Sequence, residues 1–127
     1  MKISIIIPTY NEESVILNCL QSLEKQSLKD FEVIVVDDGS TDNTFNICAN
    51  NGTIAIKHET NKGKGEAIKS GVDYLIKNHP EFTHIALMDA DMQYHPEEIL
   101  SVFNALENNN SDFVMGQRNW KEIPFRH

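Results

Sequence analysis

Residues 31–52, FEVIVVDDGSTDNTFNICANNG, read as a strand that runs through an acidic turn into a helix. FEVIVV at 31–36 is aromatic and β-branched with little polar interruption, as a strand covered on both faces of a parallel sheet must be. Asp37, Asp38 and Gly39 break the run, Ser40 or Thr41 is placed to cap a helix, and Asn51-Gly52 supplies its stop.

The same unit recurs along the chain. ISIII at 3–7 precedes a helix that Asn11 can cap, with Glu12 and Glu13 at its positive end and Val15, Ile16, Cys19, Leu20 and Leu23 at helical spacing. TIAIKH at 53–58 predicts a third strand. After NKGKG, the residues Ala67, Ile68, Val72, Leu75 and Ile76 form another apolar stripe. HIALM at 84–88 predicts a fourth strand, Pro96 opens a helix carrying Ile99, Leu100, Phe103 and Leu106, and DFVMG at 112–116 predicts a fifth strand. Strands alternating with helices imply right-handed crossovers, so the fold class is α/β, Rossmann-like: an open, mainly parallel sheet with helices on both faces.

Composition narrows the function. The 127 residues form one domain with one core, and with 40% hydrophobic and 24% charged residues they suit an ordinary globular protein. Nineteen acidic against eleven basic residues give a net charge of -8, which repels a phosphate backbone and argues against nucleic acid. The two cysteines, Cys19 and Cys48, fall in helical patterns and read as reduced core thiols of a cytoplasmic protein. ISIII is too short for a signal-peptide core or a membrane span.

Ligands of such sheets bind outside the carboxyl ends of the strands. That edge collects the unusual polar clusters: residues 8–12, 37–40, 58–65, 89–91 and 116–118. Asp89 and Asp91 flank one alanine at the end of a buried strand. Two carboxylates two residues apart in an extended segment face the same way and can share Mg²⁺ or Mn²⁺, with Gln93 as a further oxygen; the competing reading is a turn cap and a solvated charge. His95 is either an added ligand or the cap before Pro96, the latter being preferred. His58, His79, His84 and His127 show no metal spacing and are assigned to surface or packing. Gly63 and Gly65 do not complete a dinucleotide fingerprint, and no Walker loop is present. The loop holding Lys62 and Lys64 is either an anion site or simply solvated.

Four stretches, IIIPTYNEE, VIVVDDGSTDNT, NKGKGEAIKSG and LMDADMQYHPEEI, together resemble the nucleotide-binding part of family 2 inverting glycosyltransferases of the GT-A fold. Within that family the likeness is to the polyprenyl-phosphate sugar transferases, the group that includes dolichyl-phosphate mannosyltransferase. The resemblance implies a GDP- or UDP-sugar donor, Mg²⁺ or Mn²⁺, and a polyprenyl or dolichyl phosphate acceptor. It implies that Pro8, Tyr10 and Glu12 line the nucleotide pocket, that Val36 and Asp38 hold the base, and that Asp89, Asp91 and Gln93 take the metal. Ala90 would leave room for ribose or sugar, and Arg118 and Lys64 would meet phosphates. Asp91 and Arg118 are the expected catalytic residues. The acceptor-side portion is expected beyond residues 118–127, and membrane contact only from there; Trp120, Lys121, Pro124, Phe125 and Arg126 either start an acceptor loop or form a frayed tail, the latter being preferred. A non-catalytic nucleotide-sugar module and a phosphotransferase of the haloacid-dehalogenase type, with Asp89 as nucleophile, are the alternatives.

Overall fold

A computed structural model describes residues 2–25, 30–91 and 99–109. In chain order the elements are β1 (Ile3–Thr9), α1 (Ile16–Lys25), β2 (Phe31–Asp37), α2 (Thr44–Ala49), β3 (Ile54–Lys57), α3 (Lys64–Asn78), β4 (His84–Leu87) and α4 (Ile99–Asn108). All three pairings are parallel, and the sheet order is β3-β2-β1-β4. The chain therefore winds outward from β1 to β3, then returns over the sheet to β4 on the other side of β1. Because crossovers keep one hand, that reversal moves the covering helix to the opposite face. Accordingly α3 covers Ile6, Ile34 and Val36 through Ala67 and Leu75, while the other face buries Ile3, Ile5, Ile7 and Val35 against Ile16, Cys19, Leu23, Cys48 and Phe103.

The uninterrupted apolar run of β1 is explained by this two-sided burial, whereas β4, expected to be buried, leaves Leu87 57% exposed. Ile5, Ile6 and Ile7 are all fully buried although alternate side chains point to opposite faces. Each contributes about 1.5–3 kcal/mol relative to exposure. β1 runs two residues beyond the ISIII expected, through Pro8 to Thr9. Proline is tolerated because Met88 N–H donates to the Ile6 carbonyl, so even-numbered residues of β1 turn toward β4, whose pairing ends at the Ile6–Leu87 match. The missing N–H of Pro8 thus falls past the end of its neighbour.

Two helix starts differ from expectation. Asn11 does not cap α1; it stands at φ 50°, and the Glu12 carbonyl begins the turn leading to Ile16. Neither Ser40 nor Thr41 caps α2, which starts at Thr44 after Asn43. On α3, Ile76 is 60% exposed, not part of the buried stripe, which uses Ala67, Gly71 and Leu75 instead. The expected fifth strand at 112–116 and the helix start at Pro96 lie outside the described residues. No helix among the described residues is long and apolar enough to cross a membrane.

Candidate functional site

The reversal of strand order between β1 and β4 leaves a crevice at their carboxyl ends, because the crossovers on either side lead away from it. A cleft of about 320 Å³ opens there. Pro8, Tyr10 and Glu12 reach it from the end of β1, Asp38 from β2, Lys64 from the start of α3, and Asp89, Ala90 and Asp91 from β4. These sequence-identified residues come together although up to 83 positions separate Pro8 from Asp91. Thr9, Asn61, Gly63 and Ala67 complete the lining.

The loop after β1 is fixed to the loop after β2. Asn11 N–H donates to Ser40 Oγ at 2.8 Å, and Asn11 Oδ1 accepts from Thr41 N–H at 2.9 Å. Glu12 N–H donates to Thr44 Oγ1 at 3.0 Å, and Glu13 Oε2 accepts from Asn43 N–H at 2.9 Å. An asparagine can hold a left-handed backbone when its amide bonds locally, which explains Asn11. Ser40 in turn donates through N–H and hydroxyl to Asp37 Oδ1. The polar residues that would have capped two helices are spent in joining two loops.

Asp38 anchors a third loop. It is 4% exposed, and its carboxylate accepts from His58 Nδ1, Lys62 N–H and Gly63 N–H, each at 2.8 Å. Burial pushes this carboxyl up, but the bonds from His58, Lys62 and Gly63 outweigh it and hold it below the ordinary value of 3.8. A carboxylate has about four acceptor positions, so at most one remains for a ligand. The other ring nitrogen of His58, Nε2, lies 2.8 Å from Ser70 Oγ on α3. His58 is thus a buried bridge from β2 to α3. Its position directly after β3, on the ligand edge and across from an acid, was the signal available in sequence.

Gly39 closes the arrangement. At φ +81°, it lies against the backbone of the 58–63 loop so closely that a Cβ would meet Thr60 C at 2.5 Å and Asn61 N at 2.6 Å.

Val36 is corrected. Its side chain is fully buried in the core beneath α3, so it cannot touch a base. Ala90 borders the cleft, is 2% exposed and belongs to the buried cluster that includes Ile16 and Cys19. Gln93, His95 and Arg118 lie outside the described residues, as do Trp120, Lys121 and Phe125.

Lys64 Nζ lies 2.7 Å from Asp89 Oδ1. Asp91 stands near enough to Cys19 that, after burial, its charge is the second cause pushing that thiol up to about 11. Among the described residues no group of three or more His, Cys, Asp or Glu side chains is arranged to hold a metal ion. Asp89 and Asp91 follow β4 in a turn rather than in the extended segment expected, and both line the cleft; such oxygen donors, one of them paired with a cation, fit an ion that takes oxygen ligands and completes its shell with phosphate and water. That describes Mg²⁺ or Mn²⁺ rather than structural zinc.

Comparison with known proteins agrees with this geometry. The family model for glycosyl transferase family 2 matches residues 4–127. A UDP-N-acetylglucosamine–dolichyl-phosphate N-acetylglucosaminyltransferase of Methanococcus voltae is 37% identical over 134 residues, covering 91% of this chain and 51% of that protein. The structure of S. aureus TarS with UDP-GlcNAc superposes with a TM-score of 0.70 at 32% identity, over 98% of this chain and 37% of that one. Glucosyl-3-phosphoglycerate synthase of Mycobacterium tuberculosis, solved with Mn²⁺, UDP and glucosyl-3-phosphoglycerate, gives 0.65 at 25% identity over 83% and 39%. The chain spans about half the length of the first curated relatives it matches. Its sheet is the Rossmann-like sheet of the GT-A glycosyltransferases, and the chain belongs to glycosyl transferase family 2.

Proposed function

We propose that this chain is the donor-binding part of an inverting glycosyltransferase that uses a nucleotide-diphosphate sugar, with a lipid phosphate as acceptor. The observation that carries the reading is the convergence of Tyr10 and Glu12 with Asp89 and Asp91 on one cleft at the strand-order reversal. Tyr10 is 44% exposed and offers a ring face to the nucleoside, and Glu12 offers an acceptor. Asp38 contributes its one remaining acceptor position to a base edge. Asp89 and Asp91, with Gln93, hold Mg²⁺ or Mn²⁺; Lys64 and Arg118 meet phosphate oxygens. The ion, when bound, supplies Lewis-acid stabilisation of the charge that develops on the leaving diphosphate.

Transfer to a neutral hydroxyl needs a general base near the reacting oxygen. A phosphate acceptor is already anionic and needs none, and the dolichyl-phosphate activity named for the M. voltae relative supports that choice. UDP is favoured as the nucleotide because the TarS and M. tuberculosis neighbours carry it.

Calorimetric titration with UDP and GDP, each with and without Mn²⁺, tests the reading. UDP should bind with Mn²⁺, and Asp91→Asn should remove the Mn²⁺-dependent part of the affinity. An unchanged affinity in that variant defeats the assignment. Transfer of labelled sugar from a UDP-sugar to dolichyl phosphate tests the acceptor.

A further inference from the structure

We propose that Lys64 is a tethered stand-in cation: it neutralises Asp89 while no divalent ion is bound, and it links ion and diphosphate binding by exchanging Asp89 for a phosphate. The inference rests on the nucleotide-diphosphate reading above and adds a coupling between its two ligands.

Three observations lead to it. First, the lining of the cleft is strongly acidic. Among its described residues, Lys64 is the one cation against Glu12, Asp38, Asp89 and Asp91. A diphosphate arriving alone meets repulsion, and a divalent ion arriving alone must compete with Lys64 for Asp89. Second, Lys64 does not serve its own helix. It is the first residue of α3, where the helix dipole disfavours positive charge, so the gain from a cation at this point lies across the cleft at Asp89.

Third, the segment leading into Lys64 is anchored while its side chain is exposed. The two preceding residues, Lys62 and Gly63, donate their N–H groups to the buried carboxylate of Asp38, which fixes where the stem of Lys64 begins. The side chain is 62% exposed, against 22% for Asp89. An ion pair this exposed is weak, and a lysine carries its charge on a flexible four-carbon stem, so changing partner costs little. When ion and diphosphate enter together, Asp89 turns to the ion and Lys64 to the phosphate. Each ligand then removes an obstacle to the other, and by linkage the enhancement is the same in both directions.

The test is titration of the chain with Mn²⁺, read as the loss of the free-ion electron paramagnetic resonance signal, in the absence and presence of UDP. It compares the wild type with Lys64→Gln and Lys64→Arg; circular dichroism shows that each is folded, as expected for an exposed side chain. Lys64→Gln should bind Mn²⁺ alone about twofold to fivefold more tightly, the range open to an exposed pair. UDP should raise its Mn²⁺ affinity by a smaller factor than in the wild type, and Lys64→Arg should behave like the wild type. If Lys64→Gln binds Mn²⁺ alone no more tightly, while UDP and Mn²⁺ still bind together at the wild-type cleft, the exchange is refuted and the donor site stands. If the wild type binds neither Mn²⁺ nor UDP, the donor reading fails and the exchange falls with it.

Discussion

His58 Nδ1 lies 2.8 Å from Asp38 Oδ1, in a pair of side chains that are 8% and 6% exposed. The contact joins the end of β2 to the end of β3, and Ser70 extends it to α3. Removing one partner of a buried pair leaves the other uncompensated, which costs more than the pair contributes when intact. Asp38→Ala strands three donors at once. Its unfolding free energy, measured by urea denaturation, should fall by about 3–5 kcal/mol. A loss under about 1 kcal/mol would mean that the 58–63 loop holds its place without Asp38.

The same carboxylate gives a pH dependence of known sign. Its folded value is depressed below 3.8 because the bonds from His58, Lys62 and Gly63 outweigh burial. A depressed acid binds fewer protons folded than unfolded, so its contribution is complete above about pH 4 and disappears as pH falls through the folded value. Asp42 acts in the same direction: burial pushes it up, and bonds from Thr44 and Glu13 pull it lower. Wild-type stability should therefore decline below about pH 4, and Asp38→Asn should narrow its deficit there. A deficit that stays constant from pH 6 to pH 2.5 contradicts this.

Both thiols should be inert in the native state. Burial first, then the charge of Asp91, pushes Cys19 up to about 11. Burial, then Asp37 and then Cys19, pushes Cys48 up to about 12. Only the thiolate attacks a disulfide reagent. Ellman's reagent should titrate no thiol in the folded chain at pH 8 and both in guanidinium; rapid labelling of either without denaturant would show that the core beneath α1 and α2 opens readily.

Gly71 is a packing position. A Cβ there would meet Ile6 Cγ2 at 2.8 Å, and Ile6 is fully buried. Alanine gains helix propensity but forces a well-packed side chain to move, and overpacking of this kind costs about 1–3 kcal/mol against a gain of at most about 1. Gly71→Ala should lower the urea midpoint with little change in slope. A raised midpoint would show that Ile6 has room to turn aside.

The architecture was legible because strands sheathed on both faces and helices with apolar stripes leave separate marks in sequence. The same property hid the orientation of Val36: in FEVIVV every position after Glu32 is apolar, and nothing distinguishes the side chain beneath α3 from one that reaches the cleft. The helix starts were misplaced for a different reason. Asn11 and Ser40 have the chemistry of caps but bond to each other 29 positions apart, a contact no local pattern contains. Asp89 and Asp91 were placed at the cleft by their position just past the end of a strand, although that strand is not the buried one expected: Ile85 is 36% and Leu87 57% exposed. The pairing of Asp89 with Lys64 required knowing that β4 lies beside β1 and that α3 begins above the same crevice.

The contact of Gly39 with Thr60 and Asn61 leaves no space between two backbones. Segments 37–44 and 58–63 are consequently a single cassette for any loop graft. A graft that replaces one and keeps the other must reproduce a glycine at that crossing and a fit of a few tenths of an ångström, whereas a chimera that exchanges both carries the joint with it.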